Sequence, residues 1–137
     1  MDKQALRQFR RFAIVGSIGF AVDGGLLMLI SGVYGFDIYL SRLVSFLCAT
    51  LATWWLNRRH TFGMESPAAG DTHAREYARY VAVQIGGGFF NLSIFSWLIY
   101  MDPRLRAVSL SLLPVAAGSI AGMLWNYFGA RRWVFRI

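Results

Sequence analysis

Apolar residues along this chain fall in four long stretches, at 13–33, 39–56, 80–100 and 107–128. Each is about the ~17–25 residues that a membrane-spanning helix requires, so the pattern predicts four such helices and an all-α polytopic fold. The first twelve residues carry Lys3, Arg7, Arg10 and Arg11 and superficially resemble the start of a signal peptide. The apolar run behind them exceeds the roughly 7–15 residues of a cleavable core and is followed by no small-residue cleavage site, so it is expected to stay as the first span. The only sizeable polar stretch, 63–76, contains Pro67, Gly70 and His73. It reads as a flexible linker whose histidine and acids are solvated.

The bases fix an orientation. Four lie before the first span, four between the second and third (Arg58, Arg59, Arg75, Arg79) and three at the end (Arg131, Arg132, Arg136), whereas Arg42, Arg104 and Arg106 fall on the other side. Eleven against three places both termini and the 57–79 loop in the cytoplasm. Trp54, Trp55, Trp97, Tyr100, Trp125 and Trp133 sit near span ends, as interfacial anchors do.

Composition agrees: 56% of the 137 residues are hydrophobic and 15% charged, against roughly 45–50% and 25% in soluble domains. That argues against a water-soluble enzyme. The net charge of +7 would suggest nucleic acid in a soluble protein, but bases set between apolar runs suit an anionic lipid surface instead. A lone Cys48 builds neither a disulfide nor a metal site, and no HExxH, CxxC, GxSxG or P-loop pattern occurs. One membrane domain over 1–137 is expected, without cofactor, metal, nucleic-acid partner or catalytic residue.

The chain also matches itself. A shift of 68 sets Phe9-Arg10-Arg11-Phe12 on Tyr77-Ala78-Arg79-Tyr80, Gly16 on Gln84 and Asp23 on Asn91. A shift of 73 sets Arg58-Arg59-His60-Thr61-Phe62 on Arg131-Arg132-Trp133-Val134-Phe135, and Ser45, Ala49 and Thr53 on Gly118, Gly122 and Asn126. Each copy crosses twice, so both start from the same side and the repeat is parallel. Ser45, Ala49 and Thr53, like Gly118, Gly122 and Asn126, recur every fourth residue and give each helix a narrow strip for close packing. Asn126 is also placed to hydrogen-bond a ligand. Pro114 predicts a bend or a freed carbonyl in the fourth span.

Asp23 lies at the centre of the first span, where an ionised carboxylate costs ~2.5–3.5 kcal/mol, so it is expected to face the bundle interior. Protonation, a hydrogen bond to a neighbouring span and a hydrated cavity are the three ways to accommodate it. Asn91 occupies the matching place on the third span, on one stripe with Gln84 and Gly88. Asp23 and Asn91 facing each other would form a polar pair that meets sugar hydroxyls or satisfies itself. At the cytoplasmic face, Arg10, Arg11, Arg58, Arg59, Arg79, Arg131 and Arg132 gather at helix ends. Guanidinium groups clasp phosphate oxygens bidentately, while general attraction to acidic lipids uses the same bases without specificity.

The stretch Arg11-Phe12-Ala13-Ile14-Val15-Gly16, the Asn57-Arg58-Arg59-His60-Thr61-Phe62 closing the second span, and the Asn126 to Phe135 segment ending Arg-Arg-Trp-Val-Phe resemble the GtrA-like family of small four-span membrane proteins. His60 stands where that family commonly has Trp, and Asn126 is separated from Arg131 where the first copy keeps Asn57 and Arg58 adjacent. The resemblance implies a role in cell-surface polysaccharide synthesis at the bacterial inner membrane, moving a polyprenyl-phosphate-linked sugar from the cytoplasmic to the outer leaflet. On that reading Arg58, Arg59, Arg131 and Arg132, with Arg11, Arg79 and Asn57 nearby, gather the phosphate. Asp23, Asn91, Gln84 and Asn126 supply polar contacts, and the isoprenoid tail stays in lipid as the head group passes a lateral groove, at a homodimer contact in one version. Two alternatives remain open: a non-transporting anchor or partner of a membrane glycosyltransferase, and a small proton-coupled drug exporter using Asp23.

Overall fold

The computed structural model describes residues 3–106 and 112–137, and they are helical throughout apart from the connections. Helix α1 (Lys3–Leu27) continues into a π-helical turn, Met28–Val33. Helix α2 (Ile38–Leu56) continues into a second, Asn57–Thr61. Helix α3 is His73–Met101, a 3₁₀ turn covers Pro103–Arg106, and α4 (Leu112–Gly129) ends in a third π-helical turn, Ala130–Val134. By length and apolar composition, Lys3–Val33, Ile38–Thr61 and His73–Met101 can each cross a membrane. Residues 107–111, where the fourth predicted span begins, lie outside the described residues. Pro114 falls in the first described turn of α4, where a missing N–H costs little.

Local chemistry sets the ends. The Asp37 carboxylate accepts from the backbone N–H groups of Tyr39 (3.1 Å) and Leu40 (2.9 Å), an N-cap that starts α2 directly after the Gly35 turn, whose φ of +69° suits glycine. The Thr72 hydroxyl accepts from Arg75 N–H and starts α3. In the connection after α3, Arg104 donates to both carboxylate oxygens of Asp102 and holds that carboxyl below its usual range.

The chain packs as two compact units, Met1–Val81 and Ala82–Ile137, with the division inside α3. In the first, α1 lies along α2 with Phe12, Val15 and Gly19 buried, and α2 buries Ser41, Ser45, Ala49 and Thr53 at intervals of four. A Cβ on Gly19 would come within 2.3 Å of the Thr53 methyl, so glycine is what lets these helices approach. In the second unit α3 and α4 meet through the same positions. A Cβ on Gly118 would come within 2.5 Å of the Asn91 carbonyl oxygen, and one on Gly122 within 2.7 Å of the Gly87 carbonyl oxygen. The predicted small-residue strips are therefore the helix contacts in both units, and on α3 it is Gly86 and Gly87, not Gly88, that are packed.

The turns that end α2 and α4 are alike. The π turns 57–61 and 130–134 are both followed by a residue at positive φ, Gly63 (+66°) and Arg136 (+54°). Both are closed by a bond reaching six residues back, Met64 N–H to the Arg58 carbonyl (2.8 Å) and Ile137 N–H to the Arg131 carbonyl (2.9 Å).

The polar linker is shorter than its composition suggests; Glu65 and His73 are exposed as expected, but the other two acids, Asp71 and Glu76, are not solvated. Helix α3 begins at His73, and Glu76, in its first turn, is only 1% exposed. The Asp71 carboxylate pairs with Arg79 and is itself buried. The end of α2 offers indole and guanidinium donors, and an acid at the start of α3 satisfies them.

Candidate functional site

Three polar layers lie in the first unit. The first contains Asp23. From Arg11 to Asp23 is about 18 Å of helix and from Asp23 to Val33 about 15 Å, at 1.5 Å per residue, so this carboxylate lies midway along an apolar span. One of its oxygens pairs with Arg42 Nη1 from α2, and the other accepts from the Ser45 hydroxyl at 2.7 Å. Its side chain is 18% exposed, while that of Arg42 is 54% exposed. Arg42 thus supplies the opposite charge from the neighbouring helix, a fourth way of carrying the acid. Asp23 and Asn91, expected to face each other, belong to different units, and each has partners within its own.

The second layer joins the end of α2 to the start of α3. Arg58 Nε and Trp54 Nε1 both donate to Glu76 Oε1 at 2.9 Å, and Arg58 Nη1 donates to the Glu65 carbonyl. The Arg58 and Glu76 side chains are 8% and 1% exposed, so this is a buried, hydrogen-bonded ion pair, with Arg58 Nη2 left without a partner among the described residues. Asn57 donates to the Tyr80 hydroxyl (2.9 Å) and accepts from Thr61 (2.8 Å). Tyr77 bonds Thr50 and the Leu47 carbonyl. Asn57 and Arg58, predicted at a phosphate site, are thereby engaged in fixing α3 against α2. Arg79 is engaged similarly by Asp71.

The third layer is exposed. Arg11 Nη1 donates to the His60 carbonyl at 3.0 Å, and the Arg59 guanidinium lies 5.8 Å from the Trp55 ring centroid. The three side chains Arg11, Arg59 and His60 border an open groove of about 460 Å³ whose remaining walls are aliphatic.

In the second unit the predicted polar residues form two contacts. Asn126 donates to Gln84 Oε1 at 2.8 Å, and its own Oδ1, pressed against Gly87, has no hydrogen-bond partner among the described residues. Asn91 Nδ2 makes a long 3.5 Å contact with the Ser119 hydroxyl. Arg131 and Arg132 lie on the π turn after α4, the first half-buried and the second exposed.

Sequence reasoning missed Arg42, Ser45, Trp54, Glu76 and His60. For Arg42 a signal existed: it is the one charged residue of 39–56, as Asp23 is of 13–33, and the two charges are opposite. For Glu76 the only signal was an acid placed just before an aromatic-basic run.

The family model of the GtrA/DPMS transmembrane domain matches residues 11–135. The chain belongs to this family, and the layers described above are those of a membrane domain.

Proposed function

We propose that this protein is a translocase that carries a polyprenyl-phosphate-linked sugar from the cytoplasmic to the outer leaflet of the inner membrane during cell-surface polysaccharide synthesis. In this reading one domain crosses the bilayer four times as two parallel two-helix copies, with both termini and the 57–79 loop in the cytoplasm. The observation that carries it is the mid-span Asp23–Arg42–Ser45 cluster in a chain of a membrane-domain family. A hydrogen-bonding station halfway across an apolar path suits the hydroxyls of a sugar head group, while the arginines at one end suit its phosphate.

No covalent chemistry is involved, and net movement follows the substrate gradient set by synthesis inside and consumption outside. Since Asp23 already has a cationic partner within the protein, proton-coupled export of cations, which relies on a lone acid, is disfavoured.

The test is reconstitution of the full chain in liposomes with a short-chain isoprenyl-phosphate hexose, following its accessibility to an impermeant reagent. Exchange at least about tenfold above protein-free liposomes, a barrier lowered by about 1.4 kcal/mol, is expected. Exchange equal to that of empty liposomes, with the protein shown to be folded, overturns the reading. Glycosyltransferase activity that depends on the chain without any exchange selects the anchor role instead.

A further inference from the structure

The two units share the turn that closes α2 and α4 but differ at one place beside it. In the first, the groove between α1 and the end of α2 is open: Arg11, Arg59 and His60 stand at its mouth, and Ile14, Ile18 and Leu56 form its wall. Offsets of 68 and 73 carry Ile14, Ile18 and Leu56 onto Ala82, Gly86 and Gly129. In the second unit one of these small residues, Gly86, admits a side chain of the protein itself, while a Cβ on Gly129 would meet Val83. A Cβ on Gly86 would come within 2.5 Å of the Trp125 indole nitrogen, which donates to the Val83 carbonyl at 3.1 Å while its ring packs on Phe90 and Trp133. The first-copy counterpart of Trp125 is Ala52. One copy fills the recess with an indole, and the other leaves it empty behind two guanidinium groups.

The mouth has the chemistry of an anion site. Arg11 is held by the His60 carbonyl and Arg59 by the Trp55 face, which fixes both cations beside the groove without an acid to neutralise either among the described residues. Below them the wall is aliphatic, and Ile14 is 60% exposed. We infer that this groove binds a phosphate-bearing single-chain amphiphile, its phosphate between Arg11 and Arg59 and its hydrocarbon chain along Ile14, Ile18 and Leu56, and that the chain offers one such site, in its first half only. The inference rests on the translocation reading for what the lipid is. It adds where the phosphate is gripped and that the grip is asymmetric.

Native mass spectrometry of the full chain in detergent tests it, with farnesyl phosphate, farnesol, inorganic phosphate and dioleoyl phosphatidic acid as probes. One farnesyl phosphate per chain is expected, with farnesol and inorganic phosphate not retained and phosphatidic acid retained more weakly. Arg59→Gln and Ile14→Trp should each weaken farnesyl phosphate at least about tenfold (1.4 kcal/mol), Arg59→Lys should weaken it less than Arg59→Gln, and Arg75→Gln should leave it unchanged. Arg59 and Ile14 are exposed and Arg59 makes no side-chain hydrogen bond among the described residues, so these variants keep the packed helices, which thermal unfolding checks. Unchanged binding in both Arg59→Gln and Ile14→Trp, two equivalent sites per chain, or equal retention of phosphatidic acid overturns the site. Binding as expected without leaflet exchange overturns translocation and leaves the site standing, whereas exchange that survives both substitutions does the reverse.

Discussion

A single charge in an apolar helix is tolerable only when something answers it, and here each is answered from the neighbouring helix. Asp23→Asn leaves Arg42 unpaired in the span and Arg42→Gln leaves Asp23 so. The pair is partly exposed, so either change should cost about 1–3 kcal/mol, below the ~3–5 kcal/mol of a fully buried pair. Thermal unfolding of the two singles and of the double neutral variant should give a coupling energy of about 1 kcal/mol or more, and additive losses would show that the two side chains do not act together. Glu76→Gln breaks a pair that is buried on both sides, and a loss of about 3–5 kcal/mol is expected in the same assay. A loss under 0.5 kcal/mol would mean that Arg58 finds another partner. The sequence made Asp23 conspicuous because nothing near it in the chain is polar enough to explain it. Arg42 was hidden because it counts equally well as a topological base, and Glu76 because a polar stretch gives an acid no visible reason to be buried.

Helix contacts were the most legible part of the fold. The recurrence of small residues every fourth position marks the packed faces of α2 and α4 in the sequence itself, and Ser45, Ala49, Gly118 and Gly122 are buried there. Gly122→Val forces a branched side chain against the Gly87 carbonyl, which cannot move without displacing α3. A destabilisation of at least about 1–3 kcal/mol is expected in thermal unfolding. Gly88→Ala, with nothing within 4 Å of the added carbon, should be neutral or slightly stabilising, since Gly inside a helix costs roughly 0.5–1 kcal/mol relative to Ala. Equal effects of the two would refute the packing register. The π-helical turns were not legible, because the wider i→i+5 bonding carries no residue signature. Their recurrence is nevertheless informative: Arg58-Arg59 and Arg131-Arg132 sit on the same local backbone, so what distinguishes the two ends is their surroundings, Glu76 and an open groove at the first and the Trp125 indole beside the second. Arg136 holds the positive φ that Gly63 takes freely, so Arg136→Gly should stabilise the closing turn by up to about 1 kcal/mol.

At the scale of the molecule, the orientation proposed from the distribution of bases is one that labelling can read. In a Cys48→Ser background, Phe36→Cys should react with an impermeant maleimide from outside intact spheroplasts, and Ser66→Cys only after the membrane is opened. The opposite pattern would invert the path proposed for the lipid. Composition alone made membrane residence legible, and family membership over residues 11–135 states it independently. A path through the protein was not legible in the same way, because it depends on which arginines are already engaged. Arg58 and Arg79 are held by acids, which shifts the proposed phosphate contact to Arg11 and Arg59.

Leaflet exchange by the Asp23→Asn/Arg42→Gln double variant probes the path most directly. This variant removes both charges of the Asp23–Arg42 pair together, leaves no unpaired ion in the apolar span and keeps the Gly19–Thr53 contact between α1 and α2. In liposomes carrying equal amounts of folded protein, its exchange of an isoprenyl-phosphate hexose should fall at least about tenfold below the unmodified chain, a barrier raised by about 1.4 kcal/mol. Exchange at the unmodified rate would mean that the head group never meets residue 23, and would contradict the account.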